Sequence, residues 1–173
     1  MTKPEAKASE LKKISPIEQA AAEILAQLGE QQLAVIYGER VRTQRTRSFT
    51  LNASPADVAF QHTLLGLELK IGKKRLSCPD WATARYLAVF ARLGVAEIAV
   101  PYDITQISRR ADELEAGWFR MQALAEHVSQ GQTSRWQSKL MKVLLSQQRE
   151  GIQAAGAGPK APEFIQNTKQ RRK

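Results

Sequence analysis

One cysteine and two histidines are all that this chain offers as thiolate or imidazole metal ligands. Cys78, His62 and His127 cannot build a cysteine-based zinc cage within one chain, and a single thiol leaves no internal disulfide. No apolar run reaches the length needed to span a bilayer, and the N-terminal stretch Met1-Thr2-Lys3-Pro4-Glu5 lacks the apolar core of a secretory leader. These absences predict a cytoplasmic protein with no membrane partner. Acidic residues are also in deficit, 17 against 26 Lys and Arg, for a formal charge of +9. A surplus of that size favours a polyanionic partner, nucleic acid in particular.

What is present is enough apolar residue, 43% of 173, to bury one core without covalent staples. Residues 1–14 alternate Lys and Glu with few large apolar groups and read as a flexible segment. Residues 151–173 mix Gly, Ala and Pro before ending in Arg171-Arg172-Lys173 and read as a disordered basic tail. Between them, Ser15-Pro16-Ile17-Glu18 is a capping box with proline at the first helical position. Ile17, Ala21, Ile24, Leu25 and Leu28 then recur at helical spacing up to Gly29. Leu33, Val35, Tyr37 and Val41 alternate, so Gln32 to Arg42 reads as a strand, as does Arg47 to Leu51. Arg40, Arg42, Arg45 and Arg47 would cluster where these strands meet.

The richest stretch runs from Asp57 to Lys70. If Leu64 to Ile71 is a strand, Leu65, Leu67, Leu69 and Ile71 face a core while Glu68 and Lys70 share the other face. Asp57, on a strand hairpinned to this one, would bring a second carboxylate to the same point. Such a cluster suits a divalent ion beside a phosphate. The same letters also fit a helix, with Ser54-Pro55-Ala56-Asp57 as a capping box, Phe60, Leu64, Leu67 and Ile71 on one side and Gly72 as the stop. In a helix Glu68 and Lys70 would point apart.

Asp80 next looks like a helix start leading through Trp81, Ala84, Leu87, Ala88 and Ala91 to Gly94, and 95–101 reads as a short apolar strand reached by a crossover. Two further helices are predicted over 111–130 and 134–148. Trp118 and Trp136 sit among apolar residues as packing anchors between them. The predicted organisation is an α/β core over 15–108 (helix, three strands, helix, strand) with a helical pair over 109–150 packed on it.

An Asp on one middle strand and Glu68-Leu69-Lys70 on the next resembles the core of the PD-(D/E)XK, or restriction-endonuclease-like, nucleases. Within that superfamily the likeness is to viral replication and repair nuclease modules and archaeal Holliday junction resolvases. The resemblance covers roughly 16–108. It implies Mg2+ or Mn2+ held by Glu18, Asp57, Glu68 and the Leu69 carbonyl, with Asp57, Glu68 and Lys70 as the catalytic set. It also implies that Lys70 orients water or offsets developing charge, and it leaves a homodimer open. Arg40, Arg42, Arg45, Arg47, Lys73, Lys74 and Arg75 would hold the flanking phosphates of DNA, with little sequence readout. Ser54-Pro55-Ala56-Asp57 departs from the family's adjacent Pro-Asp, and the helix after Asp80 lacks the Gln or Glu often found near its start.

The implied activity is phosphodiester hydrolysis in repair, recombination or defence against mobile elements. A non-catalytic basic nucleic-acid-binding module is the alternative, with Glu68 and Lys70 as surface charges. A protein that docks through its helical pair is a third reading. For Glu18 the capping box is a sufficient structural role, and no base lies near Cys78 in sequence to activate its thiol.

Overall fold

The fold is described from a computed structural model, over residues 13–52 and 54–159. The expected N-terminal segment, apart from residues 13 and 14, lies outside these residues, as do residues 160–173 of the expected tail. The molecule is mixed α/β, with two small antiparallel sheets among helices.

Helix α1 (Pro16–Leu28) begins as predicted. Ser15 Oγ accepts the Glu18 N–H at 3.2 Å, and the Glu18 carboxylate accepts the Ser15 N–H at 2.9 Å. Ala21, Ile24 and Leu28 form its buried face.

The next segment differs from expectation. Gln32 to Arg42 is not a strand: helix α2 (Leu33–Val35) runs on as a π-helical segment (Ile36–Val41). The alternation of Leu33, Val35 and Tyr37 masks a helical set, because Leu33, Ile36 and Tyr37 stand at i, i+3 and i+4 and all are buried. An i→i+5 winding stacks residues five apart, so Val41 joins Ile36 on the core side.

The strands are β1 (Thr46–Thr50), β2 (Val58–Thr63), β3 (Gly66–Ile71), β4 (Lys74–Cys78) and, after helix α3 (Trp81–Leu93), β5 (Glu97–Pro101). β2, β3 and β4 form an antiparallel meander. The helical alternative for 57–71 is thereby excluded. Three strands were expected before the helix and four are present: 32–42 is helical, and the stretches on either side of β3, including the basic one after Gly72, are the separate strands β2 and β4. The turn is Gly72-Lys73, with Gly72 at φ 56°. Leu67, Leu69 and Ile71 turn inward as predicted, while Leu64 and Leu65 lie at the hairpin tip, fully exposed. Leu65 is therefore not a core residue: the chain reverses one residue before the strand begins.

β5 does not join the meander. It pairs antiparallel with β1, Ser48 opposite Ala99. The Ala99 N–H and C=O are met from the helices: Ala99 N–H donates to Tyr37 Oη at 3.0 Å, and Tyr86 Oη donates to the Ala99 carbonyl at 2.6 Å. Two buried phenols thus satisfy backbone groups that an adjoining strand would otherwise take.

Helices α4 (Ile104–Val128) and α5 (Ser134–Ala155) are longer than predicted. Asp103 caps α4 through the Thr105 N–H at 2.8 Å, so the expected boundary between 108 and 109 falls inside a helix. Ile107, Ala111 and Leu114 carry its inward face from the first turns onward. α3 packs on α4, and α1 on both α4 and α5, so the helical pair belongs to the same core.

The predicted tail is partly structured too. Residues 151–155 complete α5, and beyond it the carbonyls of Gly156, Ala157 and Gly158 accept from Tyr37 Oη, Ser48 Oγ and an Arg42 nitrogen.

Candidate functional site

Side chains on β3 alternate as a strand requires, so Glu68 and Lys70 share the face opposite Leu69. Register then decides what stands beside them. Glu68 lies between Gln61 on β2 and Ser77 on β4, and Lys70 between Ala59 and Arg75. Asp57 precedes β2 and its carbonyl accepts the Gly72 N–H at 3.0 Å, which puts it four residues along from the position facing Glu68. That offset is roughly 13 Å at about 3.3 Å per residue. Oxygen ligands sit within about 2.6 Å of a divalent ion, so this arrangement gives the two carboxylates no shared ion.

The third acid is placed elsewhere. Glu18 closes the capping box of α1 and lines a cleft of about 780 Å³ with Lys139, Lys142 and Arg149. Asp57 lines a neighbouring cleft of about 810 Å³ with Arg92, Trp118 and Phe119. Among the described residues no three His, Cys, Asp or Glu side chains converge as a metal site would require. The donor set implied by the resemblance is therefore not assembled here. Glu68 itself is unusual: its Oε2 is buried without a hydrogen bond, and the nearest cation is Arg75 at 3.8 Å.

The expected basic residues divide into three groups. Arg40 bridges Glu113 at 3.2 Å and Glu30 at 3.5 Å. Arg42 donates to Thr46 Oγ1 at 3.0 Å and to the carbonyls of Ala155 and Gly158 at 3.2 and 2.8 Å, so it ties the end of α5 to β1. Lys74 donates to the Leu51 carbonyl at 2.9 Å. These three hold the fold. Arg75 stands by Glu68, and Lys73 is exposed in the β3–β4 turn.

Arg45 and Arg47 meet aromatic rings instead. The Arg45 guanidinium lies 4.9 Å from the Tyr102 ring centroid, and that of Arg47 lies 4.9 Å from Phe49 and 5.8 Å from Tyr102. Strand pairing creates this meeting. Thr46 sits opposite Pro101, and the Tyr102 N–H donates to the Arg45 carbonyl at 3.3 Å. Tyr102 remains about half exposed, at 53%. Arg47 Nε is buried without a hydrogen-bond partner in the protein.

A second aromatic group stands at the start of α3. Trp81 opens that helix directly after its cap, Asp80, whose carboxylate accepts the Thr83 N–H at 2.7 Å and its hydroxyl at 3.0 Å. The Phe60 ring lies 4.6 Å from Trp81 centroid to centroid. The His62 ring lies 6.4 Å away and is nearly parallel, at 13°. Trp81 is nonetheless 49% exposed.

Periodicity does not reveal Tyr102, which occupies a single position between β5 and a helix cap, and it reads Trp81 as the first of the apolar set of α3, whereas Trp81 is about half exposed. The available signal was a large aromatic beside Asp at a helix start, Tyr102-Asp103 and Asp80-Trp81, where no core face requires one.

Cys78 is buried, and burial raises its thiol above the ordinary cysteine value. It is not an activated nucleophile. Comparison with protein-family models, curated proteins and solved structures finds no match to this chain.

Proposed function

We propose that this protein binds nucleic acid through the surface on which Arg45 and Arg47 lie against Tyr102. The single observation that carries the reading is this stack of two guanidinium groups on the ring of one half-exposed tyrosine. A guanidinium laid on a ring loses little freedom when it meets a phosphate, and its N–H edge stays available for bidentate contact. The nearest acid in sequence, Asp103, is engaged in capping α4. The chain's charge of +9 supplies long-range attraction for a polyanion.

The test is binding of a labelled oligonucleotide over a range of salt. Arg45→Ala and Arg47→Ala should each weaken binding and reduce the salt slope by about one. Arg40→Ala should lower stability while leaving affinity almost unchanged, because its partners are Glu113 and Glu30. Equal affinity for wild type and both Arg45 and Arg47 variants would refute the reading.

Metal-dependent hydrolysis of DNA, on a restriction-endonuclease-like core, stands as a second reading. It is favoured by the Oε2 of Glu68, buried without a hydrogen bond, and by Lys70 on the same face. It requires Asp57 to approach Glu68 from its place near Gly72, so no catalytic step is assigned. Plasmid cleavage that needs magnesium and is lost in Glu68→Ala and Lys70→Ala alike would favour this reading over binding alone.

A further inference from the structure

We infer that the ligand of this surface is a single-stranded segment of nucleic acid, with unpaired bases stacking on Tyr102 and on Trp81. The inference rests on the nucleic-acid reading above and adds the class of ligand. Its first ground is that Tyr102 and Trp81 are exposed, as is Phe119 at the Asp57 cleft, while the other two tryptophans, Trp118 and Trp136, are buried or half-buried. Its second is the adjacency of Tyr102 and Trp81. Ile104, two residues beyond Tyr102, lines with Trp81 and Thr105 a cleft of about 530 Å³, and Ile104 is itself 56% exposed. The surface thus runs from Phe49 and Arg47 through Tyr102 and Ile104 to Trp81 and His62.

Tyr102 and Trp81 both pack against neighbouring side chains and are still about half exposed. Phe60 and His62 hold Trp81, and Arg45 and Arg47 hold Tyr102. A duplex hides the faces of its bases, so such rings gain little from it, whereas every unpaired base presents a face to stack. Arginines interleaved with rings fit a strand whose phosphates and bases alternate along its length. The Asp80 carboxylate, the acid closest to Trp81 in sequence, is engaged with both the N–H and the hydroxyl of Thr83.

The experiment titrates the full-length protein with a labelled single strand and with the duplex of the same sequence, following anisotropy and tryptophan fluorescence. The expected result is tighter binding of the single strand with quenching of tryptophan emission. Trp81→Ala and Tyr102→Ala should each bind the single strand on the order of tenfold more weakly, and Trp81→Ala should bind the duplex as wild type does. Trp81→Phe and Tyr102→Phe should restore most of the affinity. This guards against a folding defect, which circular dichroism of the alanine variants checks independently.

Equal affinity for single strand and duplex, or alanine variants that bind the single strand as wild type does, would overturn the inference while leaving the Arg45 and Arg47 reading intact. Binding of neither form at low salt would overturn both.

Discussion

The phenolic oxygen of Tyr37 accepts the backbone N–H of Ala99 at 3.0 Å, joining the π-helical segment to β5. The same hydroxyl donates to the Gly156 carbonyl at 2.7 Å, so one buried atom connects three parts of the chain. Burial raises the Tyr37 pKa, and the hydrogen bond from Ala99 and the Arg42 charge only partly oppose it. The group is therefore a neutral phenol at physiological pH.

Tyr37→Phe keeps the ring and removes both hydrogen bonds, leaving the Ala99 N–H buried without a partner. The expected loss is about 1–3 kcal/mol. A lower urea midpoint with an unchanged m-value is the predicted outcome, and an unchanged midpoint would show that these bonds do not stabilise the fold.

Gly94 ends α3 at φ 78°, where a side chain is strained, and a Cβ there would fall 2.3 Å from the Pro55 nitrogen. The close approach lets the segment before β2 lie against the end of α3, and it sets where Asp57 starts. Gly94→Ala should therefore destabilise by more than about 1 kcal/mol, since strain and backbone overlap act together. Thermal unfolding measures this, and a melting temperature within a degree or so of wild type would contradict it.

Glu113 should make stability depend on acid. Burial pushes its carboxyl up, but the hydrogen bond and charge of Arg110, joined by Arg40, outweigh burial and hold it below the ordinary carboxylate value. A carboxyl depressed in the folded state contributes stability that is fully present above its unfolded pKa of about 4.3. That contribution disappears as the pH falls through the lower folded value. Urea unfolding measured from neutral pH down to about pH 3 should show a decline that is shallower in Glu113→Gln than in wild type. Identical profiles would mean that the Arg110 and Arg40 contacts contribute nothing.

Much of the helical framework was legible because its signals are local. Ser15 and Glu18, Asp80 and Gly94 each mark a helix end through chemistry confined to a few neighbouring residues, and the structure places all four as read. The inward set Leu67, Leu69 and Ile71 was legible for the same reason, since a strand's two-residue period is written in adjacent letters. Gln32 to Arg42 was misread because the same apolar residues satisfy both periods over so short a span. Only contact with α5 and β5 separates the two readings.

The sequence by itself determined the strong positive charge, the single cysteine and the helix caps, while the shared face of Glu68 and Lys70 waited on the choice of strand over helix. Tertiary structure alone decided which groups meet. Register between β2 and β3 puts Gln61, not Asp57, beside Glu68. Pairing of β1 with β5 brings Tyr102 under Arg45 and Arg47. The physical reason is that caps and periodicity act over a few residues, whereas a site is made by residues far apart in the chain. Their meeting depends on which strand edges and helix faces leave the least polar backbone unsatisfied.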